Sequence, residues 1–521
     1  MKSHVRILAM LLAMVLLLSA CGGDPGTSES GEPAPENSES GEVKDTLVIG
    51  NYAEPTVLDP CNQNMVPAGL VNVQIYDGLV RQDNETGEIV PSLAKSWEYV
   101  DDYTIRFHLR DDVYFHDGSK MTAEDVKFTF DRGATCTQKS MIFEPFDTAK
   151  TKIIDEYTIE LGTKDVFPAA LSYLTNNATL IVSKSAVEAA GSDDAYGRNP
   201  VGTGAYKFVD WIAGDRVILE RNEEYWGELP EFKNLIIRTI ADDTTRALAL
   251  ESGEVDIAYN LAPAQVEMLE SSDTVEVLTA PSYTTQYCGL NFAYEPLSDK
   301  RVRQALRYAV DMDTISEIAF ASGLPADGPV TPALSCYVPA GEDQQYEQNI
   351  EKAKELMKEA GYENGFDLEL SCNESQSRIS MAQMLANAWK EIGVNTEVRS
   401  LEFSAQLDEV YSGEAQAFLL GFVAGGNDGE FYRAMFQTGN DGASWININI
   451  PEINELFDLA SKEMDADKRS EYYHELQTML RDEMPWLWVR FADNIWGMSK
   501  DLTGLDLDPE WYSEYRFITS K

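Results

Sequence analysis

The residues best suited to chemistry are few and scattered. His108, His116 and His474 are the histidines of the body of the chain, far apart and outside any metal-ligand spacing. His474-Glu475-Leu476 starts like a zinc-protease helix but lacks a second histidine one turn later. Ser92-Leu93-Ala94-Lys95 has the spacing of an activated serine, yet no K-T-G or S-D-N accompanies it. Four-residue matches of that kind arise by chance in a chain of 521 residues. No nucleophile elbow, P-loop or C-x-x-C pair occurs. Carboxylates are abundant, 88 Asp and Glu against 41 Lys and Arg, so counting cannot single out a glycosidase-type acid pair. We expect no enzyme, no metal site and no cofactor. The chemistry left is that of binding.

One cysteine does occupy a chemically informative place. Lys2 and Arg6 precede an apolar run over 7–18, too short to span a bilayer, and Leu18-Ser19-Ala20 leads directly into Cys21. The arrangement resembles a bacterial lipobox, which implies a signal peptide over 1–20, cleavage before Cys21 and lipidation of its thiol and new amino group. Several acyl chains make such an anchor durable, since each buried methylene contributes about 0.8 kcal/mol. Residues 21–45 follow, with seven acids against one lysine after the cysteine and no aromatic, Leu or Ile. A segment of this composition cannot offset its ordering entropy by burial and is expected to be a disordered tether. The expected location is extracytoplasmic, on the cell surface or the periplasmic face, anchored by lipid.

The body from 46 onward is long enough for two or three domains. With 9 Trp, 24 Tyr and 20 Phe in the chain it has ample material for cores. A formal net charge of −47 argues against nucleic acid and anionic lipid surfaces as partners. Apart from Cys21, five cysteines remain: Cys61, Cys136, Cys288, Cys336 and Cys372. Five is odd, so at least one thiol stays unpaired in a monomer, and spacing selects no pair. Buried free thiols are the expectation, a single bridge the alternative.

The elements alternate. "TLVIGNYA" and "TIRFHLRDDVYF" read as strands. "MTAEDVKFTFDRG" reads as a helix capped by Thr122 and closed at Gly133. "NIEKAKELMKEAGY" and "SRISMAQMLANAWKEIG" read as helices stopped at Gly361 and Gly393, each followed by a strand, "FDLELSC" and "VNTEVRSL". "DKRVRQALRYAVDMDTISEI" reads as one helix with Val302, Ala305, Leu306, Ala309 and Val310 on a core face. In "VGTGAYKF", Gly202 and Gly204 suit a tight chain reversal. "WIAGDRVILERN" reads as a hairpin turning near Gly214-Asp215. Tyr225 and Trp226 read as packing, and His116 as a satisfied structural histidine. This is a mixed α/β architecture.

Five collinear blocks carry a resemblance: "LVIGNYAEPTVLDPCNQN…IYDGLVRQD", "VPSLAKSWEYVDDYTIRFHLRDDVYFHDGSKMTAEDVKFTFDR", "NPVGTGAYKFVDWIAGDRVILERNEEYWG", "LSDKRVRQALRYAVDMDTI" and "PEINELFDLASKEMDADKRSEYYHELQTMLRDEMPWLWV". Together they resemble the bacterial extracellular solute-binding protein family 5, the peptide-, dipeptide- and nickel-type receptors of ABC importers. The resemblance implies a two-lobed periplasmic-binding-protein-like fold of type II, in its large form with an extra subdomain, joined by two hinge-crossing segments. Expected boundaries are lobe I at 46–284 with the extra subdomain near 70–190, lobe II at 285–491, and a C-terminal return to lobe I at 492–521. The crossings would be "SYTTQYCGLNF" and "WVRFADNIW". The implied function is that of a monomeric receptor closing on a peptide or peptide-like small solute and delivering it to ABC permease subunits. A ligand sensor or a surface enzyme are the other readings.

The resemblance also places a cleft. Its lining would be Asn64, Met65 and Val66 of the first loop, Tyr287 of the first hinge strand, and the loop in "GFVAGGNDGEFY". Peptide binders of the family usually carry Trp near the start of that loop and, a few residues on, an Asp that pairs with the peptide's α-amino group. Here Phe422 takes the Trp position and the Asp position falls on Gly425 or Gly426. Asn427 follows, and Asp428 is the nearest acid. Either Asp428 meets an amine, or the ligand lacks a free α-amine (a modified amino acid, sugar derivative or opine-like compound), or Asp428 is a solvated turn residue. Tyr52, Tyr287, Phe422 and Trp445 would supply aromatic contacts.

Overall fold

The structure, a computed structural model, describes residues 44–320, 322–438 and 445–521. The signal segment, Cys21 and the tether as far as residue 43 lie outside them. Among the described residues no helix is long and apolar enough to cross a membrane.

An eleven-stranded sheet organises the molecule. At one end Thr46–Asn51 runs parallel to Asn234–Thr239 and Ile257–Tyr259, with Arg216–Arg221 and Tyr206–Ile212 as antiparallel outer strands. At the other end Phe366–Asn373 runs parallel to Val394–Leu401 and Ala417–Val423. Two long strands in the middle, Val275–Leu290 and Trp486–Ser499, pair antiparallel and join the two ends. The expected lobe boundary at 284/285 falls inside the first of these, and that at 491/492 inside the second. Both crossings therefore extend further than the quoted segments.

Separate cores support the ends. Leu47, Ile49, Leu235, Ile237 and Trp496 belong to one apolar cluster. Leu368, Leu370, Trp389, Leu419 and Val489 belong to another. A four-stranded antiparallel sheet, Ala94–Asp101, Thr104–Leu109, Thr158–Thr163 and Phe146–Asp155, stands apart from the main sheet. Its buried Phe107, Phe146 and Ile159 share one cluster with Phe418, Phe436 and Trp486 of the far end, so this small sheet bridges the two halves.

Local signals behave as their chemistry dictates, with three corrections. Thr122 caps the helix Ala123–Gly133 through a full capping box with Asp125. Gly133, however, is that helix's last residue and not a left-handed stop; a β-carbon there would lie 2.4 Å from the Phe143 ring. The segment expected as one long helix is two, Lys300–Tyr308 and Met312–Ala319, because Asp311 leaves helical geometry to cap the second through Thr314. All five of its predicted core residues are fully buried. Gly202 and Gly204 do not serve a turn of their own. A β-carbon on Gly202 would sit 2.1 Å from the Ile75 carbonyl oxygen, and one on Gly204 would sit 2.5 Å from the Ile75 carbonyl carbon. They let a strand end meet the helix Val66–Ile75 backbone to backbone. Tyr225 and Trp226 both donate to Asp77, and His116 bonds the Gly204 carbonyl at 3.0 Å while burial pulls its imidazole down to about 4. These are structural roles.

Candidate functional site

The crossing strands slip register between Pro281 and Thr284 and again between Gln286 and Tyr287. A slip frees backbone groups from the ladder and lets the strand bend. The freed groups are taken up by three different parts of the chain. Tyr283 N–H donates to the Pro509 carbonyl at 3.0 Å, its carbonyl accepts from Ala424 N–H at 3.1 Å, and its hydroxyl accepts from Gln82 at 2.5 Å. Thr284 Oγ1 accepts from the Trp511 indole at 3.0 Å. The C-terminal segment, the loop after Ala417–Val423 and the extra subdomain thus converge where the crossing strands are least regular. Trp511 holds φ at +78°, a strained conformation for a bulky residue, fixed by that indole bond and its edge contact with Tyr259.

The predicted residues distribute around this crease. Tyr287 is buried and stacks on Trp486 at 3.5 Å, and Phe422 lies 6.2 Å from the same indole and 5.0 Å from Tyr432. Tyr52 stacks on Tyr259 at 5.6 Å, on the opposite side of the crease, and burial pushes its phenol up to about 12. Asn64 and Met65 are exposed just before the helix Val66–Ile75, and the Met65 N–H is held by Gln63, which in turn bonds Asn177. The Gly425 carbonyl accepts from Asn176 at 2.9 Å, and Gly426 comes so close to Ser172 that a β-carbon would lie 2.7 Å from its hydroxyl. Asn427 bonds Ser335 N–H at 2.8 Å and reaches the Gly87 carbonyl at 3.5 Å. Trp445 stands apart, packed on Tyr411 at 4.8 Å. The first loop, the crossing strand and the glycine loop thus border one crease; Trp445 does not join them.

Asp428 is engaged rather than open. Arg469 grips it with two nitrogens at 2.6 and 2.7 Å, and it also caps the turn that follows by accepting from Glu430 N–H at 2.8 Å. The side chains of the pair are 9% and 13% exposed, so this is a buried ion pair with its oxygens occupied. Beside it Glu430 accepts from Arg433 and Tyr473, and burial, with Asp428 adding repulsion, raises its carboxyl to about 7.

Two other ionisable groups near the crease have no ion-pair partner among the described residues. Arg378, in the first turns of the helix Gln376–Lys390, donates to the Leu419 carbonyl at 2.7 Å and to Gln286 of the crossing strand at 3.0 Å. Burial lowers its guanidinium to about 10. Glu510 is buried beside Asp508, and burial plus that neighbour's charge push its carboxyl well up. It lines a cavity of about 100 Å³ together with Asp77, Gln82, Asn177, Tyr283 and Tyr512. Tyr287 Oη and Trp488 Nε1 are buried without hydrogen-bond partners. Polar groups of this kind are open to a water or to a ligand. A wider groove of about 920 Å³ opens between the subdomain and the second half, lined by Phe146, Phe167, Tyr173, Glu430, Phe431 and Arg433. Sequence reasoning passed over Arg378 and Glu510. The dense acid and aromatic string Asp508-Pro509-Glu510-Trp511-Tyr512 was the available signal for the second.

Residues 88–444 match the model of the bacterial extracellular solute-binding proteins, family 5 (middle region). The chain belongs to this family. It is 28% identical to the glutathione-binding protein GsiB of Pectobacterium atrosepticum, over 87% of this chain and 90% of that one. The fold is similar to the periplasmic binding protein DppA of Helicobacter pylori in complex with the peptide STSA, with TM-score 0.82, 24% identity, and coverage of 92% and 98% of the two chains. It is also similar to AgaA of A. tumefacien R10 in complex with agropinic acid, with TM-score 0.80, 24% identity, and coverage of 91% and 100%. These are two-lobed binding proteins of type II, and this family member shares that architecture. Its relatives are substrate-binding proteins.

Proposed function

We propose that this protein is the substrate-binding component of an ABC importer and receives a short peptide or peptide-like solute, glutathione-type ligands included, in the crease between its lobes. One observation carries the ligand class. Two ionisable groups of opposite type, the half-buried guanidinium of Arg378 and the buried carboxyl of Glu510, lack ion-pair partners among the described residues and border the same crossing strand from different sides. Arg378 is fixed by Gln286, while Glu510 sits between Pro509 and Trp511, which bond Tyr283 and Thr284. Three residues of strand separate Tyr283 from Gln286, about 10 Å of chain. That is the order of distance between the amino and carboxyl ends of a di- or tripeptide. Arg378 receives the carboxylate, and Glu510, giving up its proton as the ammonium arrives, takes the amino end, each through a charge-assisted bond.

Binding favours the closed arrangement by its differential affinity for it, with the lobes (46–284 with 492–521, and 285–491) moving about the two register slips. The closed surface is what the permease subunits recognise, and the lipid on Cys21 keeps the receptor at the membrane. A ligand without a free α-amine, such as an opine-like compound, is the second reading; it is favoured by the engagement of Asp428 with Arg469.

Calorimetric titration of ligand-free, refolded protein with glutathione, a panel of di- and tripeptides and their carboxyl-amidated forms tests the proposal. We expect amidation, or Arg378→Gln, to weaken binding on the order of 100-fold, and amidation to cost nothing further in the variant. Equal affinity for acid and amide would remove Arg378 from the site. Equal affinity for N-acetylated and free peptides would select the second reading.

A further inference from the structure

The five described cysteines are all unbridged and buried, but they are not equivalent. Cys288 and Cys372 lie on the two strands flanking Ala417–Val423, two strand spacings or about 9.5 Å apart, beyond disulfide reach. Cys61 and Cys136, separated by most of the extra subdomain in sequence, are laced together by their neighbours. Lys139 N–H donates to the Cys61 carbonyl at 3.2 Å, and Thr137 donates to the Asn62 side chain from its N–H at 3.3 Å and its hydroxyl at 3.4 Å. The Cys61 thiol donates to Asp59 Oδ1 at 3.9 Å, and the two thiols lie near enough to perturb each other's acidity. Arg132, which ties the loop to the helix through Asp59 and Asp193, also places a guanidinium nitrogen 3.3 Å from Cys61 Sγ. The interaction with Cys61 draws the Cys136 thiol down, the direction that makes it a nucleophile. Cys136 sits in a turn whose neighbours Thr135, Thr137 and Gln138 are exposed, so a small disulfide can approach.

We propose that Cys61 and Cys136 are an oxidative modification site that closes to a disulfide outside the cytoplasm. The Cys136 thiolate attacks a sulfur of an incoming small-molecule or protein disulfide and displaces one thiol. Cys61, losing its proton, then attacks Cys136 Sγ and displaces the second. Two protein thiols become one disulfide while the donor disulfide becomes two thiols. The bond clips the loop that carries Asn64 and Met65 to the end of the helix Ala123–Gly133, so the rim of the crease is held covalently as well as by Arg132.

Equilibration of the full chain with glutathione disulfide, followed by alkylation in denaturant and peptide mapping, tests this. We expect Cys61 and Cys136 to resist alkylation and appear as one crosslinked peptide pair, while Cys288, Cys336 and Cys372 alkylate fully; dithiothreitol should restore labelling at both. In Cys61→Ser, Cys136 should instead accumulate a stable glutathione adduct, because its resolving partner is gone. Full alkylation of Cys61 and Cys136 after equilibration, or a crosslink from either to another cysteine, would overturn the assignment.

Discussion

Asp428, buried, and Arg378, half-buried, lie on the same half of the molecule and differ in how they are partnered. Asp428 meets a guanidinium with both oxygens, and its remaining capacity caps a turn. Arg378 meets a carbonyl and an amide oxygen and, among the described residues, no carboxylate. A buried charge with a geometrically complete partner is a piece of scaffold, because either member alone would be left unpaired in low dielectric. A half-buried charge offered only neutral acceptors keeps its net charge and attracts an anion to complete it. The acid that stands nearest the family's amine-binding position is therefore the one committed to structure. The arginine that no motif marked is the one left open.

Mutation should separate these two roles most sharply. Asp428→Asn removes one partner of a buried pair and is expected to destabilise the fold by ~3–5 kcal/mol, read as a lower denaturant midpoint. The double variant Asp428→Asn with Arg469→Met should recover much of that loss. Arg378→Gln should leave the midpoint unchanged or raise it, since it removes a desolvated charge without orphaning another. If the effects on stability were reversed, the distinction between scaffold and site would fail.

Acidity sharpens the same contrast. Glu430 belongs to the Asp428 nest, and its carboxyl is raised to about 7 against an ordinary 4.5. Between those values the folded state holds a proton that the unfolded state has released, so stability falls as pH rises. The contribution is fully present below about pH 4.5 and gone above about pH 7, a span of up to ~3 kcal/mol. Glu430→Gln should flatten this part of the stability profile and stabilise the protein at pH 7.5, measured by urea unfolding at stepped pH. A profile unchanged by the substitution would mean that Arg433 and Tyr473 already compensate the charge.

What the sequence made legible follows the range of the interactions involved. Thr122 with Asp125, Gly361 and Gly393 act within a few residues, and their helices were readable from spacing alone. The break at Asp311 was readable too, since Asp311 and Thr314 form a cap inside the run taken as one helix. Gly202 and Gly204 looked like turn glycines because nothing local reveals that the Ile75 backbone, more than a hundred residues earlier, lies against them. The site was less legible still. Whether Asp428 is free depends on Arg469, and whether Arg378 is paired depends on what three strands leave within its reach. Type and spacing announce which side chains carry charge; only the folded neighbourhood decides which of those charges are already spent.

The smallest expected effect concerns contacts that carry no charge yet span the crease. Asn176 donates to the Gly425 carbonyl at 2.9 Å, and Tyr173 stacks on Phe431 at 4.5 Å, each joining the extra subdomain to the second half. Neither contact should survive an opening of the crease, so each weights the closed arrangement alone. Asn176→Ala removes the bond to Gly425, worth about 1 kcal/mol, so a ligand that needs closure should bind roughly fivefold more weakly; it also removes the local cap that Asn176 gives Ala178 N–H. The lost cap at Ala178 should lower the unfolding free energy by about 1 kcal/mol, in the free and in the liganded protein alike. Gly426→Ala acts on the same closure through sterics, since its methyl group would press on Ser172. Small-angle scattering should then show less compaction at saturating ligand than in the parent. If both variants compact and bind as the parent does, the loop at Gly425 and Gly426 is no part of the closing surface, and Arg378 must act without it.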